Sequence, residues 1–344
     1  MVTYTLKIIE VKRETADTVT ICFKQPGLKK IKYLAGQYLT LIVRINGRRY
    51  IRPYSLSSAP NIDQNLEVTI KRVIGGVVSN HINDQVAVGD LIEVMAPMGD
   101  FTLPDDKNAD HVILWGAGSG ITPLISIAKY LLYGNKVSQL TLVYGNRNSE
   151  NVIFGDTIGQ LKKEFSNFST WHFHTRQSIS HTNANVIEGR INPHKVLQVM
   201  MADGNIGAET LHFICGPVGL KQSVKDALAQ NNIGYDKIFS EDFEKIIDPK
   251  EFENIISQFV EVQSPTESSK IEVVKGKSIL EAGLDADLDL SYSCQTGSCL
   301  ICKAKVLSGK VKMINSHVVE LADNECLLCC SYPLTNDVKV LTEN

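Results

Sequence analysis

Four cysteines constrain this chain more than any other feature: Cys294, Cys299 and Cys302 stand at C-x4-C-x2-C, and Cys329 follows after a long gap. That is the spacing of a 2Fe-2S ligand set. Zinc sites usually present two C-x-x-C pairs, whereas here one such pair is joined to an x4 spacing and a single remote partner. Gly297 lies between the first two thiols, where the missing side chain lets backbone amides approach cluster sulfurs. Cys326, Cys329 and Cys330 compete for the fourth position, since all three fall within five residues. A chain that carries electrons at one end must obtain them through the other.

At 344 residues the chain is too long for one ordinary core and suggests two or three domains, which its 43% hydrophobic content is ample to bury. Net charge is only −3, with no run of Lys or Arg, so neither nucleic acid nor an anionic membrane is an expected partner. From Gln263 onward, 11 acidic side chains meet 8 lysines and no arginine, which places the whole surplus in the cysteine-bearing segment. The first 13 residues mix charges with apolar residues and do not read as a signal peptide, so a cytoplasmic location is expected. Eight cysteines in such a compartment argue for metal or cluster binding rather than disulfides. Residues 112–132 are apolar enough to raise a membrane span, but Gly116, Gly118, Gly120, Pro123 and Lys129 interrupt them. A buried strand, a nucleotide loop and a packed helix account for them better.

The first hundred residues read as short strands at 18–23, 38–45, 66–71 and 91–94, with no helices between them, which predicts a closed antiparallel barrel. From His111 the pattern changes. Strands at 111–115, 140–144 and 211–215 alternate with helices at 124–132, 158–165 and 220–230, the signature of a parallel α/β domain. A polar stretch near 248–261 reads as a linker, and beyond it strands at 259–262 and 270–274 precede a helix at 278–283. His172 and His174 alternate on a strand without Cys or carboxylate at ligand spacing and are read as structural.

Four short segments carry further chemistry. Arg52-Pro53-Tyr54-Ser55 sets a guanidinium, a flat ring and a hydroxyl together, as a flavin dinucleotide requires. Gly75-Gly76-Val77-Val78-Ser79 exposes amides for a phosphate. Gly116-Ala117-Gly118-Ser119-Gly120-Ile121-Thr122-Pro123 follows a strand and opens a helix, where a pyrophosphate is held at a positive helix end. Arg147, after Tyr144-Gly145-Asn146, stands where an acidic ribose ligand would be expected, which favours NADPH over NADH.

Together these motifs resemble the ferredoxin-NADP reductase superfamily, and the cysteine segment resembles plant-type ferredoxins, an order shared by oxygenase reductase components. The resemblance implies an antiparallel β-barrel FAD domain (1–105), an α/β Rossmann-like NAD(P) domain (106–246), a linker (247–261) and an α+β β-grasp ferredoxin domain (262–344). It also implies that Arg52 and Ser79 bind the pyrophosphate of FAD, with Pro53, Gly75 and Gly76 in the same motifs. Tyr54 would stack on the flavin, Ser55 would lie near its N5, and Lys71 would sit by the ribityl chain. Gly116, Gly118, Ser119, Gly120, Thr122 and Pro123 would hold the nicotinamide nucleotide, together with Arg147 and the second motif Cys215-Gly216-Pro217. Glu241, in Ser240-Glu241-Asp242-Phe243, would approach the flavin. Tyr54, Ser55, Cys215 and Glu241 are thus the implied catalytic set. Plant-type ferredoxins place Pro four residues after the fourth ligand, which selects Cys329 ahead of Pro333 and leaves Cys330 pointing elsewhere. The implied reaction passes hydride from nicotinamide to flavin and single electrons through the cluster to an external oxygenase. A diiron oxygenase is the expected acceptor; a Rieske oxygenase or a sugar-deoxygenating enzyme is the alternative.

Overall fold

The structure is a computed structural model that describes residues 2–27, 29–104, 109–176, 186–202, 210–243, 249–265, 267–314 and 321–342. Among them, contacts divide the chain into two units, Met1–Asp242 and Phe243–Asn344.

The first unit starts with six strands, Thr3–Thr15, Thr18–Phe23, Tyr38–Ile45, Arg48–Ser55, Leu66–Lys71 and Leu91–Met95, joined in one antiparallel sheet. A bridge from Leu56 to Val68 ties the two end strands, so the sheet closes on itself as a barrel. Alternate residues such as Leu66, Val68 and Ile70 point into one core with Ile8, Ile21 and Leu39. Gly36 turns the chain into the third strand at φ 98°, and a Cβ there would stand 1.9 Å from the Phe101 carbonyl oxygen.

Two features depart from the sequence reading. Residues Val77–Gln85 form a helix, so the strands are not free of helices between them. Its buried face is Val78, Ser79, Ile82 and Asn83, half of it polar, and the Asn83 amide donates to the Ile70 and Ser79 carbonyls. An apolar period was therefore absent. Arg48–Ser55 is also a strand, and Pro53 is tolerated within it because this strand lies at the end of the sheet order.

The second sheet is parallel, with strand order Val186–Glu188, Phe168–His174, Val137–Asn146, Ala109–Ala117, Leu211–Cys215 and Ile238–Glu241. Helices Ile121–Tyr133 and Gly155–Glu164 pack on one face through Leu124, Ile127, Ile158 and Leu161. Helices Pro193–Ala202 and Val218–Gln230 cover the other through Val196, Val199, Val224 and Leu228. Both faces are covered, which is why its central strands read as continuous apolar runs.

Barrel and parallel sheet share one unit, and Ile121–Tyr133 joins them. The Ser126 hydroxyl donates to the Ser58 carbonyl at 2.6 Å, and the buried Lys129 ammonium meets Asp63 at 2.6 Å and Glu67 at 3.9 Å. Burial holds the Glu67 carboxyl above its ordinary range. Lys129→Met would leave the two carboxylates facing each other without a cation. The expected loss is about 2 kcal/mol, discounted for the partly exposed carboxylates, or roughly 5 °C in Tm. Thermal melts at low and high salt check this; an unchanged melt would make the cluster energetically silent.

The second unit builds a mixed sheet in the order Ser268–Val273, Gln258–Gln263, Lys339–Thr342, Lys303–Ser308 and Glu325–Leu327. Helix Ile279–Asp285 lies against it and over the short turn Leu328–Cys330. Ser278 and Glu281 form a capping box at its start, which satisfies two orphan amides reciprocally. A smaller pair, Val311–Met313 with Ser331–Pro333, packs Tyr332 and Ile314 against Phe252 and Ile255.

Candidate cofactor sites

Parallel register creates the first site. Residues opposite one another across the sheet are His172, Tyr144, Gly116, Cys215 and Glu241, a single row at the carboxyl ends of five strands. Open α/β sheets bind ligands at those ends. Next to the row, Gly118–Gly120 makes a tight turn into Ile121–Tyr133. The Tyr144 hydroxyl donates to the Gly118 carbonyl at 2.9 Å and the Thr122 hydroxyl to the Ser119 carbonyl at 2.6 Å, so the turn is held from both sides. Pro123 sits in the first helical turn, where its missing N–H costs nothing.

One hydrogen bond couples this row to the barrel. Ser55, nearly buried at the end of its strand, hydrogen-bonds the Glu241 carboxyl. Burial pushes that carboxyl up to about 8, so it holds a proton at neutral pH. Its Oε2 is shielded from solvent and finds no partner among the described residues. Burial also raises the neighbouring Cys215 thiol well above its ordinary value. Tyr54 packs on the barrel core, and desolvation pushes its phenol up to about 12, so it stays neutral.

Other expected residues fall as follows. The Arg52 guanidinium donates to the Ile51 carbonyl at 2.8 Å. Gly75 takes φ 73°, and Gly76 opens the helix Val77–Gln85 with no side-chain cap, leaving its first amides to another acceptor. The Ser79 hydroxyl accepts from the Val73 amide at 3.1 Å. Lys71 is paired with Asp17 at 3.6 Å, which ties it to the turn between the first two strands. Gly216 and Pro217 lead from the Leu211–Cys215 strand into the next helix. Arg147 is exposed one residue beyond its strand, and its carbonyl accepts from the Arg176 amide at 2.7 Å. Arg176 is a site residue the sequence reading misses, because only the observed pairing of Asn146 with His174 sets it beside Arg147. Burial lowers His172 to about 4 and also lowers His174.

The second unit gathers the cysteines. Cys299 and Cys329 hydrogen-bond to Cys294 and hold it far below an ordinary thiol, while Cys302 is lowered by its bond to Cys329. Backbone amides point at the same sulfurs: Thr296 N–H donates to Cys294 Sγ and Cys294 N–H to Cys299 Sγ, each at 3.4 Å. Gln295 and Leu300 adopt left-handed conformations, which curl the loop around its thiols. Among the described residues no three His, Cys, Asp or Glu side chains converge on a single ion. Cys294, Cys299, Cys302 and Cys329 are linked to one another through these contacts, a four-thiol set of the kind a two-iron cluster takes. Four thiols and inward amides therefore fit a 2Fe-2S group, and the unpartnered Glu241 oxygen with the uncapped helix fits a flavin nucleotide. Cys330 does not point away as expected: its Sγ lies 3.6 Å from Cys329 Sγ. Cys326 is fully buried. Asp285, in the acidic stretch before the cluster loop, is paired with Lys277 at 2.5 Å.

Comparison with known proteins agrees with this division. Family models match an oxidoreductase FAD-binding domain at residues 5–103, an oxidoreductase NAD-binding domain at 114–226 and a 2Fe-2S iron-sulfur cluster binding domain at 264–334. The chain is 30% identical to one of the subunits of 1,2-phenylacetyl-CoA epoxidase from Escherichia coli, over 98% of this chain and 97% of that protein. It is 32% identical to the ferredoxin reductase component of 3-ketosteroid-9-alpha-monooxygenase from Rhodococcus rhodochrous, over 97% and 95%. The solved phthalate dioxygenase reductase has the same fold, with a TM-score of 0.69, 23% identity and coverage of 99% of this chain and 98% of that one. No described helix is long and apolar enough to cross a membrane. With three domain matches in order and two full-length relatives, the chain belongs to the ferredoxin-NADP reductase superfamily as an NAD(P)H-dependent oxygenase reductase component with FAD-binding, NAD-binding and 2Fe-2S domains.

Proposed function

We propose that this reductase draws electrons from NADPH and delivers them to the oxygenase component of a phenylacetyl-CoA epoxidase, a diiron oxygenase. The observation that carries the donor side is the row Gly116, Cys215 and Glu241 with Ser55 bonded across to it. When bound, nicotinamide, flavin and iron-sulfur cluster supply the hydride and single-electron chemistry. The chain's own task is positioning. Gly120 and Gly216 let the turn Gly118–Gly120 and the strand ends beside it pack backbone to backbone, Tyr144 fixes the turn, and Ser55 with neutral Glu241 offers a proton-bearing pair at the buried end. The acceptor side is supported by the full-length similarity to the epoxidase component. A relative of comparable identity is named for a 3-ketosteroid-9-alpha-monooxygenase, so a different oxygenase is the competing reading.

Anaerobic titration with NADPH and then NADH, following flavin and cluster absorbance, tests the donor side; no bleaching of either chromophore would end the reductase reading. Turnover with purified oxygenase components of the two types decides the acceptor. Arg147 and Arg176, held side by side at the strand ends, are assigned to the 2′-phosphate of NADPH. Arg147→Ala is expected to lower the NADPH to NADH ratio of kcat/KM about tenfold, the scale of one exposed charge-assisted hydrogen bond. An unchanged ratio would take the assignment away from Arg147.

A further inference from the structure

Cys330 follows the fourth cluster cysteine and is as deeply buried as Cys329, at 0% exposure. The turn Leu328–Cys330 brings their sulfurs to 3.6 Å, within the range of a sulfur hydrogen bond. A ligating thiolate has no proton, so of these two sulfurs only Cys330 can donate. The turn lies under helix Ile279–Asp285, away from water, where a weak donor acts in a low dielectric and counts for more than on a surface. Hydrogen bonds to cluster sulfurs favour the more negative, reduced state. The Thr296 and Cys294 amides donate to the other loop sulfurs from the backbone, whereas this donor is a side chain and can be exchanged.

We propose that the Cys330 thiol donates a hydrogen bond to the Cys329 ligand sulfur and thereby raises the reduction potential of the 2Fe-2S cluster. The inference rests on the ligand set assigned above. It makes Cys330 a positioning residue that acts through Cys329, with no part in covalent chemistry.

The test is a redox titration of the full-length holoprotein at fixed pH, followed by electron paramagnetic resonance, for wild type and for Cys330→Ala, Cys330→Val and Cys330→Ser. At a fixed ambient potential, the ratio of reduced to oxidised cluster should fall about threefold to tenfold in the Ala and Val variants, roughly 30 to 60 mV for a one-electron couple. Cys330→Ser, which keeps a donor, should stay at or above wild type. Wild-type potential in Cys330→Val would make the residue a packing element, and a Ser variant shifted as far as Ala would show that the donor is not what matters. An altered resonance line shape in Cys330→Val would make Cys330 a ligand, and each of these results overturns the proposal. Should the variants fail to assemble, the oxidised-minus-reduced infrared spectrum of wild type decides. A thiol S–H stretch that moves to lower frequency on reduction supports the bond, and its absence rejects it. Wild type lacking any 2Fe-2S signal would instead refute the ligand assignment, so the two failures are distinguishable.

Discussion

Gly120→Ala is expected to lower kcat/KM for NADPH by about a hundredfold while leaving the cluster absorbance and its chemical reduction unchanged. A Cβ at this position would stand 2.1 Å from the Cys215 carbonyl oxygen, 2.4 Å from its carbon and 2.7 Å from the Gly216 amide nitrogen. All three are backbone atoms, so no rotamer change relieves the clash. Either the turn Gly118–Gly120 lifts from the sheet or the Cys215–Gly216 segment moves away, and both border the proposed nicotinamide site. Displacement of about 1 Å at a reacting centre costs on the order of a hundredfold. Gly118→Ala is the control. Gly118 has φ 55° but nothing within 4 Å of its would-be Cβ, so it meets only the conformational penalty of about 1 kcal/mol. Steady-state rates with a one-electron dye acceptor, alongside dithionite reduction of the cluster, separate the two halves of the molecule. A Gly120→Ala rate within threefold of wild type would mean that the close approach has no role in nucleotide binding.

Contiguity decided what the sequence could disclose. Cys294, Cys299 and Cys302 share one loop, and Gly116 to Pro123 joins one strand to one helix, so each motif carries its own structural context. The pairing of Ser55 with Glu241 has no such context, because it depends on barrel closure and on parallel register across three strands. Arg176 was hidden for the same reason: only the pairing of Asn146 with His174 sets it beside Arg147. Helix Val77–Gln85 was missed because two of its four buried residues are polar, which erases the apolar period. Edge strands Arg48–Ser55 and Ile238–Glu241 are half-exposed and rich in charge or hydroxyl, so they lack the apolar alternation that marks a strand. Cys330 was expected to point away from the cluster, but a 3-10 turn places successive side chains about a third of a turn apart. The second sulfur therefore stays beside the first.

That proximity sharpens the largest effect expected in the second unit. Cys329→Ser should remove the visible 2Fe-2S absorbance and lower electron delivery to an oxygenase about a hundredfold or more, while NADPH oxidation with a flavin-level dye acceptor stays within twofold of wild type. Cys329 hydrogen-bonds Cys294 and Cys302 as well as Cys330, so it is the sulfur common to the loop thiols and the turn. Each iron of a two-iron site requires two thiolates, and the alkoxide of serine is a poor substitute for a soft ligand. Cys330→Ser should retain the cluster, since it leaves all four assigned ligands in place. Because the Cys330 sulfur is only 3.6 Å away, the double variant Cys329→Ser/Cys330→Ala is a necessary companion. Absorbance kept in the single variant but lost in the double one would identify Cys330 as a replacement ligand recruited from the same turn. Absorbance kept in both, with two irons and two sulfides per chain, would remove Cys329 from the ligand set and return the fourth position to Cys326.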